Sequence, residues 1–461
     1  MRSTPFDIPA DLDTPVSAFR KLAPFRPRYL LESVEGGERL GRYSFIGFGD
    51  AREVRLDGET LSVDGAETPA PTTRDGLLDA LRTELARAPR PRAGEAKLPF
   101  EGGLVGAMGF EVARRFVRVR APRLPRTGPD LVLLGTRSVL VFDHVAHRVA
   151  ILHDGDDVER ASLRREVVTA LRGALPAVRM RTRVGPSTPS MTREEMTEAI
   201  GRAQHHIHAG DVFQLVLSLR HAGEAEIDPF EAYRALRLTN PSPYMFFYDF
   251  GDTQFAGSSP EALVRLDGRV AHLRPIAGTR RRGETRDEDD ALMRELLADE
   301  KETAEHVMLV DLARNDIGRV SQTGSVVVEP YRSIERYSHV MHTVSGVRST
   351  LAEGKDAFNL FAAAFPAGTV SGAPKSRALE LIDAIEPCAR GFYAGTVGYF
   401  GHGSTSDHAL AIRSISFSNG GYAYQAGAGI VEASQPSAEI DEMLAKAAVM
   451  KGALQLAEEG L

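Results

Sequence analysis

The strand-like segments of this chain come in runs and do not alternate strictly with helical segments. They are predicted at 43–48, 51–56, 131–142, 148–152, 212–219, 244–250, 255–266 and 409–417. The last is followed by Asn419-Gly420 and a strand at 422–425, a pattern typical of a β-hairpin. Because parallel sheets need strands that alternate with helices, this order predicts an α+β fold with antiparallel sheets.

The sequence changes character at 185–190, where Gly-Pro-Ser-Thr-Pro-Ser precedes a helix start at Thr192. We place the main boundary there, which gives one region at 1–185 and another at 186–461. The net charge of −7 argues against a nucleic-acid surface, and the densest basic run, at 280–282, is too short to change this. The single cysteine, Cys388, fits a reducing cytoplasm, and no segment approaches the ~20 apolar residues of a membrane span.

Two pairs of glutamates repeat one three-residue spacing: Glu302 with Glu305, and Glu439 with Glu442. The first pair falls in a helix predicted over roughly 288–314, and the second in a helix that starts after Pro436. Within each pair the acids share a stripe with apolar residues. Buried carboxylates are costly without a positive partner, so four that converge would suit a divalent cation such as Mg²⁺. Solvated helix faces are the alternative interpretation.

A strand and two glycines suggest an anion site. Arg413 falls on the apolar face of the strand at 409–417, and its guanidinium suits a carboxylate, with a structural acid as the alternative partner. Gly427 and Gly429 follow the hairpin and would let backbone N–H groups approach an anion. The loop at 368–376 lacks the spacing of a nucleotide-binding phosphate loop.

Histidines give weaker signals. His339 and His342 lie three apart on a predicted strand, so at most one of them enters a pocket. The cluster at 205–208 contains three histidines on a polar helix, which we interpret as surface.

Six stretches together resemble one family. They are Gly-Asp-Val-Phe-Gln-Leu-Val-Leu-Ser at 210–218, Gly-Ser-Ser-Pro-Glu at 257–261, Arg-Pro-Ile-Ala-Gly-Thr at 274–279, Asp-Glu-Lys-Glu-Thr-Ala-Glu-His at 299–306, Asp-Leu-Ala-Arg-Asn-Asp-Ile-Gly-Arg at 311–319 and Phe-Pro-Ala-Gly-Thr-Val-Ser-Gly-Ala-Pro-Lys at 365–375. The chain is similar to chorismate-utilising enzymes, most closely to the anthranilate synthase component I group. The resemblance is strong over 191–454 and weaker through 30–33 and 41–47. It implies a large antiparallel β-sandwich of two packed sheets surrounded by helices, with a regulatory region at 1–185, intertwined with a chorismate-binding catalytic domain at 186–461.

The resemblance also implies residue roles. Glu305 and Glu442 would bind Mg²⁺ directly, and Glu302 and Glu439 would bind it through water. The ring carboxylate of chorismate would lie on the metal near Gly278 and Thr279. The enolpyruvyl carboxylate and the rest of the polar lining would contact Tyr393, Arg413, Gly427, Ala428, Gly429, Thr369 and Lys446. Glu261 would protonate the departing C4 hydroxyl, and His342 would orient the leaving group or assist the loss of pyruvate.

Two uncharged residues indicate which reaction of the family the chain performs. Gln214 stands where water-using relatives keep a lysine base, and an amide cannot remove a proton from water. Ala277 stands where aminodeoxychorismate synthases keep a lysine nucleophile. Amination at C2 with ammonia, followed by loss of pyruvate, is therefore favoured: anthranilate formation, the first committed step of tryptophan biosynthesis. The alternatives are a 2-amino-2-deoxyisochorismate synthase, a paralogue of secondary metabolism, and a catalytically silent regulatory paralogue.

Partner and regulation follow from the same resemblance. Cys388 lacks the glycine-flanked elbow of an amidotransferase nucleophile, so ammonia would come from a separate glutamine amidotransferase subunit, in a heterotetramer of two chains of each kind. Two further stretches resemble the halves of a tryptophan feedback site: Glu32 and Ser33 in the first, and Pro241, Ser242, Pro243, Tyr244 and Met245 in the second.

Overall fold

The computed structural model describes residues 6–33, 41–91, 98, 100–120, 124–177, 182–336 and 340–461. These residues form eleven helices: α1 Pro15–Lys21, α2 Arg74–Arg87, α3 Ala113–Phe116, α4 Asp157–Arg172, α5 Arg193–His208, α6 Pro229–Thr239, α7 Arg286–Ala298, α8 Glu300–Gly318, α9 Ala357–Ala364, α10 Lys375–Ile385 and α11 Pro436–Glu459. Short 3₁₀ turns lie at Ala23–Phe25, Phe110–Val112 and Gly368–Val370. Among the described residues, no helix combines the length and apolar character that a membrane span needs.

The strands of the described residues pair only with antiparallel neighbours. They are β1 Ile8–Pro9, β2 Pro27–Glu32, β3 Tyr43–Asp57, β4 Thr60–Val63, β5 Ala66–Pro69, β6 Gly103–Met108, β7 Leu131–Asp143, β8 Arg148–His153, β9 Arg183–Val184, β10 Thr188–Pro189, β11 Gln214–Glu226, β12 Tyr244–Asp249, β13 Thr253–Ser259, β14 Ala262–Asp267, β15 Val270–Leu273, β16 Ile276–Arg281, β17 Val327–Val328, β18 Ser333–Arg336, β19 Val340–Val344, β20 Val347–Thr350, β21 Gly372–Ala373, β22 Thr396–Gly401, β23 Thr405–Leu410, β24 Ser414–Ser418 and β25 Gly421–Ile430. The predicted antiparallel α+β architecture is confirmed.

The large sheet folds over into two layers through its long strands β3 and β7. The first half of β3 pairs with β2 and its second half with β4, while β7 continues from β6 to β8. Aromatic and β-branched side chains such as Phe45, Val132, Phe246 and Val397 fill the space between the layers. Two further apolar cores cover the outer faces, one under α6 and α11 and the other under α9 and α10. Strands from before and after residue 185 therefore share one sheet.

A separate three-stranded sheet carries part of the site. Its order is β16-β19-β18, with β19 in the centre. The ladder between β16 and β19 shifts register at Gly278, whose positive φ of 72° suits glycine. Helix α8 packs against β16 and presents its acids to this bulge.

Two predicted elements are interrupted in the structure. The helix expected over 288–314 is two helices, because Asp299 adopts an extended conformation and caps the N-terminus of α8 through Glu302 N. The strand expected over 409–417 is divided into β23 and β24 at Arg413, which has a φ of +50°. The prediction that Arg413 alternates with apolar neighbours along one strand is therefore wrong. The run 255–266 is likewise two strands, separated at Pro260 and Glu261.

Candidate active site

Gln214 lies at the start of β11, on the floor of the site. Its strand pairs with β25, which places Val216 opposite Gly429. The Gln214 side chain is buried and covers Gly429, where an added Cβ atom would overlap with Nε2. Only glycine at position 429 leaves room for the amide in this position.

Glu261 lies in the break between β13 and β14, where Thr369 Oγ1 donates a hydrogen bond of 2.8 Å to its Oε1. Burial raises the pKa of the Glu261 carboxyl, while the Thr369 hydroxyl and the charges of Arg413 and Lys446 act in the opposite direction. The net effect is a raised pKa, which keeps a larger share of the carboxyl protonated. Three residues from distant parts of the chain thus act on the carboxyl of Glu261.

Several aliphatic side chains lie close to Glu261. A cavity of about 50 Å³ adjoins Glu261 and Thr369, and its walls include Leu263, Leu309 and Leu312. An apolar wall disfavours the carboxylate form more than the neutral acid. The geometry and the surroundings of Glu261 suit a proton donor.

His342 and Thr279 face each other across β16 and β19. His342 Nδ1 lies 3.0 Å from Thr279 Oγ1 and 3.2 Å from the Gly278 carbonyl oxygen. Because a carbonyl only accepts, Nδ1 carries the proton and the lone pair is on Nε2. Burial lowers the pKa of His342, and the nearby Arg413 lowers it further. The charge of Arg413 therefore lowers the pKa of His342 and also acts on the carboxyl of Glu261.

Tyr393 and Lys446 meet at Gly427 on β25. Lys446 Nζ donates to the Gly427 carbonyl at 3.0 Å, and an added Cβ atom at Gly427 would lie 2.8 Å from the Tyr393 hydroxyl. Ala428 points to the opposite side of the strand, into the apolar core. Of the predicted backbone contacts, Gly427 and Gly429 border the polar side chains of the site.

The four predicted metal ligands lie on two helices. Arg280 Nη1 donates to Glu302 Oε1 at 3.3 Å, and Lys446 Nζ donates to Glu442 Oε1 at 2.6 Å. Glu305 and Glu439 are half-buried on the same helices. Within the described ranges, no three side chains of the metal-binding types gather around one point. Carboxylate oxygens are the donors that Mg²⁺ prefers, so the donor type fits the ion, but these acids are not drawn together into one cluster.

Most of the residues predicted to bind tryptophan border a second cavity, of about 400 Å³, between β2, β12 and β23. Glu32, Ser33, Pro243, Tyr244 and Met245 line this cavity, whereas Pro241 and Ser242 do not. Aromatic rings and charged groups alternate around it, and they include Phe246, Tyr399, Arg265 and Asp407. Tyr244 donates to Asp407 at 3.2 Å, while the Glu32 carboxylate accepts from Arg237 and Tyr233 of α6.

Sequence patterns missed several residues that hold the site in place. Arg280, part of the basic run, pairs with Glu295, Asp299 and Glu302. A buried pair of Glu386 and Arg390 lies behind the floor strands. The sequence around them contains other charged residues, so nothing in it singled out this pair. The three histidines of α5 include His206, bonded to Asp211, and His208, paired with Glu432; His339 lies outside the described residues.

Comparisons with known proteins agree with this geometry. A family model described as chorismate binding enzyme matches residues 26–452. Anthranilate synthase component 1 of Thermus thermophilus is 44% identical over 98% of this chain and 97% of its own length. The corresponding protein of Pseudomonas putida is 42% identical over 98% of this chain and 94% of its own.

Solved structures give the same result. Anthranilate synthase component I from Streptococcus pneumoniae superimposes with a TM-score of 0.80 at 34% identity, covering 90% of this chain and 95% of that one. The menaquinone-specific isochorismate synthase of Escherichia coli, at 20% identity and a TM-score of 0.70, shares the fold over 96% of this chain and 92% of its own. With both the family model and these relatives matched over nearly its whole length, the chain belongs to the chorismate-binding enzyme family, within its anthranilate synthase component I group.

Proposed function

We propose that this chain is the aminating subunit of an anthranilate synthase. It would convert chorismate and ammonia to anthranilate and pyruvate through 2-amino-2-deoxyisochorismate. The observation that carries the proposal is Gln214, a buried amide on the floor of a site that also holds a protonatable carboxyl, Glu261. Ala277, equally uncharged, is buried in β16 beside Gly278. Neither position supplies a base for water or a nucleophile for the ring.

The residues of the site divide the work of two steps. In the first, the nitrogen of ammonia bonds to C2, and the C4–O bond breaks as Glu261 donates a proton, which releases water. In the second, C2 loses its proton and the ether bond between the ring carbon and the enolpyruvyl oxygen breaks, which leaves the aromatic ring. The released enolpyruvate takes up a proton at its methylene carbon and becomes pyruvate. Arg413 and the N–H groups near Gly427 and Gly429 would hold the enolpyruvyl carboxylate, and Nε2 of His342 is an acceptor for the proton.

We also propose Mg²⁺ as the cofactor, held by Glu302, Glu305, Glu439 and Glu442. It would neutralise the ring carboxylate of chorismate when bound. Support comes from the carboxylate donors on α8 and α11, the two helices that contact Gly278 and Gly427 through Glu302 and Lys446. Titration calorimetry with Mg²⁺ should give heat of binding that is lost in a Glu302→Gln, Glu442→Gln double variant, and equal heats in both proteins would oppose this assignment.

Product analysis tests the reaction. The purified chain should form fluorescent anthranilate from chorismate, Mg²⁺ and ammonium at alkaline pH, where more of the ammonia is neutral. Accumulation of a non-aromatic amino acid would instead identify a 2-amino-2-deoxyisochorismate synthase. Absence of any turnover would point to a silent regulatory paralogue.

The source of ammonia is proposed to be a separate glutamine amidotransferase subunit, in a heterotetramer with two copies of each chain. The relatives are named component 1, which implies a partner component. The single cysteine also favours the cytoplasm as the place of assembly. The chain alone should be inactive with glutamine and active with ammonium, and activity with glutamine alone would contradict the proposal.

Feedback inhibition by tryptophan is proposed at the cavity lined by Glu32, Ser33, Tyr244 and Met245, with 1–185 as the regulatory region. An aromatic wall with charged groups of both signs suits an amino acid with an indole ring. Ser33→Phe should fill the cavity, abolish inhibition and leave ammonia-dependent activity largely intact. Ser162→Phe on α4 is the control, and inhibition that survives Ser33→Phe would exclude the cavity.

A further inference from the structure

A buried ion pair lies directly behind the floor of the site. Glu386 and Arg390 are 4% and 3% exposed, and their side chains form two hydrogen bonds, of 2.6 and 2.9 Å. Burying two charges is costly, and the pair is favourable only when the remaining donors and acceptors are also satisfied. The partners that satisfy them therefore show which parts of the chain the pair connects.

Arg390 joins two segments that carry predicted site residues. Its Nη1 donates to the Val370 carbonyl at 2.7 Å, and its Nη2 donates to the Val216 carbonyl at 2.8 Å. Val370 directly follows Thr369, and Val216 lies two residues after Gln214. Because the guanidinium is planar and rigid, these bonds set the distance between the loop and the strand.

The same guanidinium contacts two aromatic rings. Its central carbon lies 4.5 Å from the ring centre of Phe110 and 5.9 Å from that of Tyr393. The Tyr393 hydroxyl in turn borders Gly427. Arg390 thus contacts the ring of a third predicted site residue, Tyr393.

Glu386 completes the arrangement through β11. Its Oε1 accepts from Ser218 N at 2.9 Å and from Ser218 Oγ at 2.7 Å, and Ser218 lies opposite Gly427 in the ladder. Gln425 Nε2 donates to the same hydroxyl at 2.7 Å. The carboxylate therefore ties β11 and β25 to the arginine that holds Thr369 and Tyr393.

We infer that Arg390 and Glu386 are positioning residues for the reaction: they align Gln214, Thr369 and Tyr393 and do not contact the substrate. The inference rests on the proposed function of the site. A displacement of about 1 Å at reacting groups costs on the order of 100-fold in rate. The loss of alignment therefore shows in kcat more than in the folding of the chain.

Steady-state kinetics with chorismate and ammonium test the inference. Arg390→Lys keeps the charge but loses the planar group that bonds both carbonyls. We expect kcat to fall about 10- to 100-fold in a chain that still folds, with native circular dichroism and a lowered midpoint of thermal unfolding. The control is Glu84→Gln on α2, which breaks an ion pair with Arg52 and touches none of the predicted site residues. Unchanged kcat and KM in Arg390→Lys would overturn the inference.

Two further variants cover the case in which Arg390→Lys does not fold. Glu386→Leu with Arg390→Met replaces the pair by apolar side chains, a change that buried pairs tolerate. Ser218→Ala removes only a hydroxyl from the same network. Each should lower kcat with native circular dichroism, and wild-type kcat in a folded variant would overturn the inference. A wild-type chain that makes no anthranilate would instead reject the proposed function.

Discussion

At the scale of single residues, Glu261 shows how the fold can prepare a proton donor. Its carboxyl adjoins a cavity lined by several leucines, accepts a hydrogen bond from Thr369 and feels the charges of Arg413 and Lys446. Burial raises its pKa, and the two cations limit the rise, so the acid remains able to lose its proton. The sequence motif identified this residue, but only the packing of distant leucines explains its chemistry.

Glu261→Gln should lower kcat about 10²- to 10⁴-fold, the usual contribution of a general acid, and change KM for chorismate little. The amide keeps the size of the carboxyl, and its oxygen can still accept the hydrogen bond from Thr369. It has no acidic proton to transfer to the leaving group. The matched control is Glu53→Gln on β3, another carboxyl whose pKa burial raises. Anthranilate formation at saturating ammonium gives both constants, and a kcat near the wild-type value would remove Glu261 from the mechanism.

His408 gives a residue-scale prediction about stability. It is fully buried on β23 against Phe361 and Phe400, and burial lowers its pKa from 6.5 to about 3. Between these values the unfolded chain binds a proton that the folded chain does not. Stability is therefore fully present above pH 6.5 and falls as the pH drops, by about 1.4 kcal/mol per pH unit.

His408→Leu should remove this pH dependence. Urea unfolding at pH 7, 6 and 5 should show the wild type losing stability relative to the variant over this interval. His205→Leu on α5 is the control, because the side chain of His205 is exposed to solvent. Parallel stability curves for wild type and His408→Leu would contradict the prediction.

At the scale of elements, local turn chemistry was predictable and interruptions were not. Asn419 and Gly420 both have positive φ, 51° and 73°, and close the two-residue hairpin expected from Asn-Gly. The apolar run of 409–412 passes directly into the alternation of 413–417, so nothing in the pattern indicated the break at Arg413. A two-residue periodicity of side chains gives no information on the sign of φ. The residue with positive φ here is Arg413, a predicted binding residue.

Gly429→Ala on β25 tests the contact between neighbouring strands. The new methyl group would overlap with Gln214 Nε2, and the amide must move away from the floor. We expect kcat to fall about 10- to 100-fold, because the displaced amide would no longer lie on the floor of the proposed amination site. Gly452→Ala on α11, where no atom lies within 4 Å of the added Cβ, is the control and should be neutral or slightly stabilising. Equal kcat values for both variants would mean that turnover does not depend on the contact between the Gln214 amide and Gly429.

At the scale of the whole molecule, the site is assembled from segments that are distant in sequence. Gln214, Glu261, His342, Arg413 and Lys446 come from five separate segments, two of them breaks between strands, that only the folded sheets bring together. The resemblance predicted these residues, but periodicity could not show that long strands β3 and β7 turn one sheet into two layers. Ladder partners are chosen by tertiary packing, which no local pattern records.

The two cavities are connected by strands that run between them. β13 pairs with β12 at the cavity proposed for tryptophan and ends beside Glu261, while β23 carries Asp407 at that cavity and leads to Arg413. Burial raises the pKa of Asp407 to about 6. If this carboxylate receives the ammonium group of tryptophan, binding requires its ionised form. Affinity should then fall as the pH drops below 6.

Asp407→Asn tests this coupling directly. The chain contains no tryptophan, so the fluorescence of the ligand reports binding without a background from the protein. Wild-type affinity for tryptophan should be about 10-fold weaker at pH 5 than at pH 7.5, in proportion to the lost carboxylate, and the variant should be weak at both values. Asp383→Asn, which removes another carboxyl with a pKa raised to about 6 but outside the cavity, should bind like the wild type. If the affinity of the wild type for tryptophan does not change with pH, Asp407 does not hold the ligand. Unchanged ammonia-dependent turnover in Asp407→Asn would show that the cavity is separate from the catalytic residues.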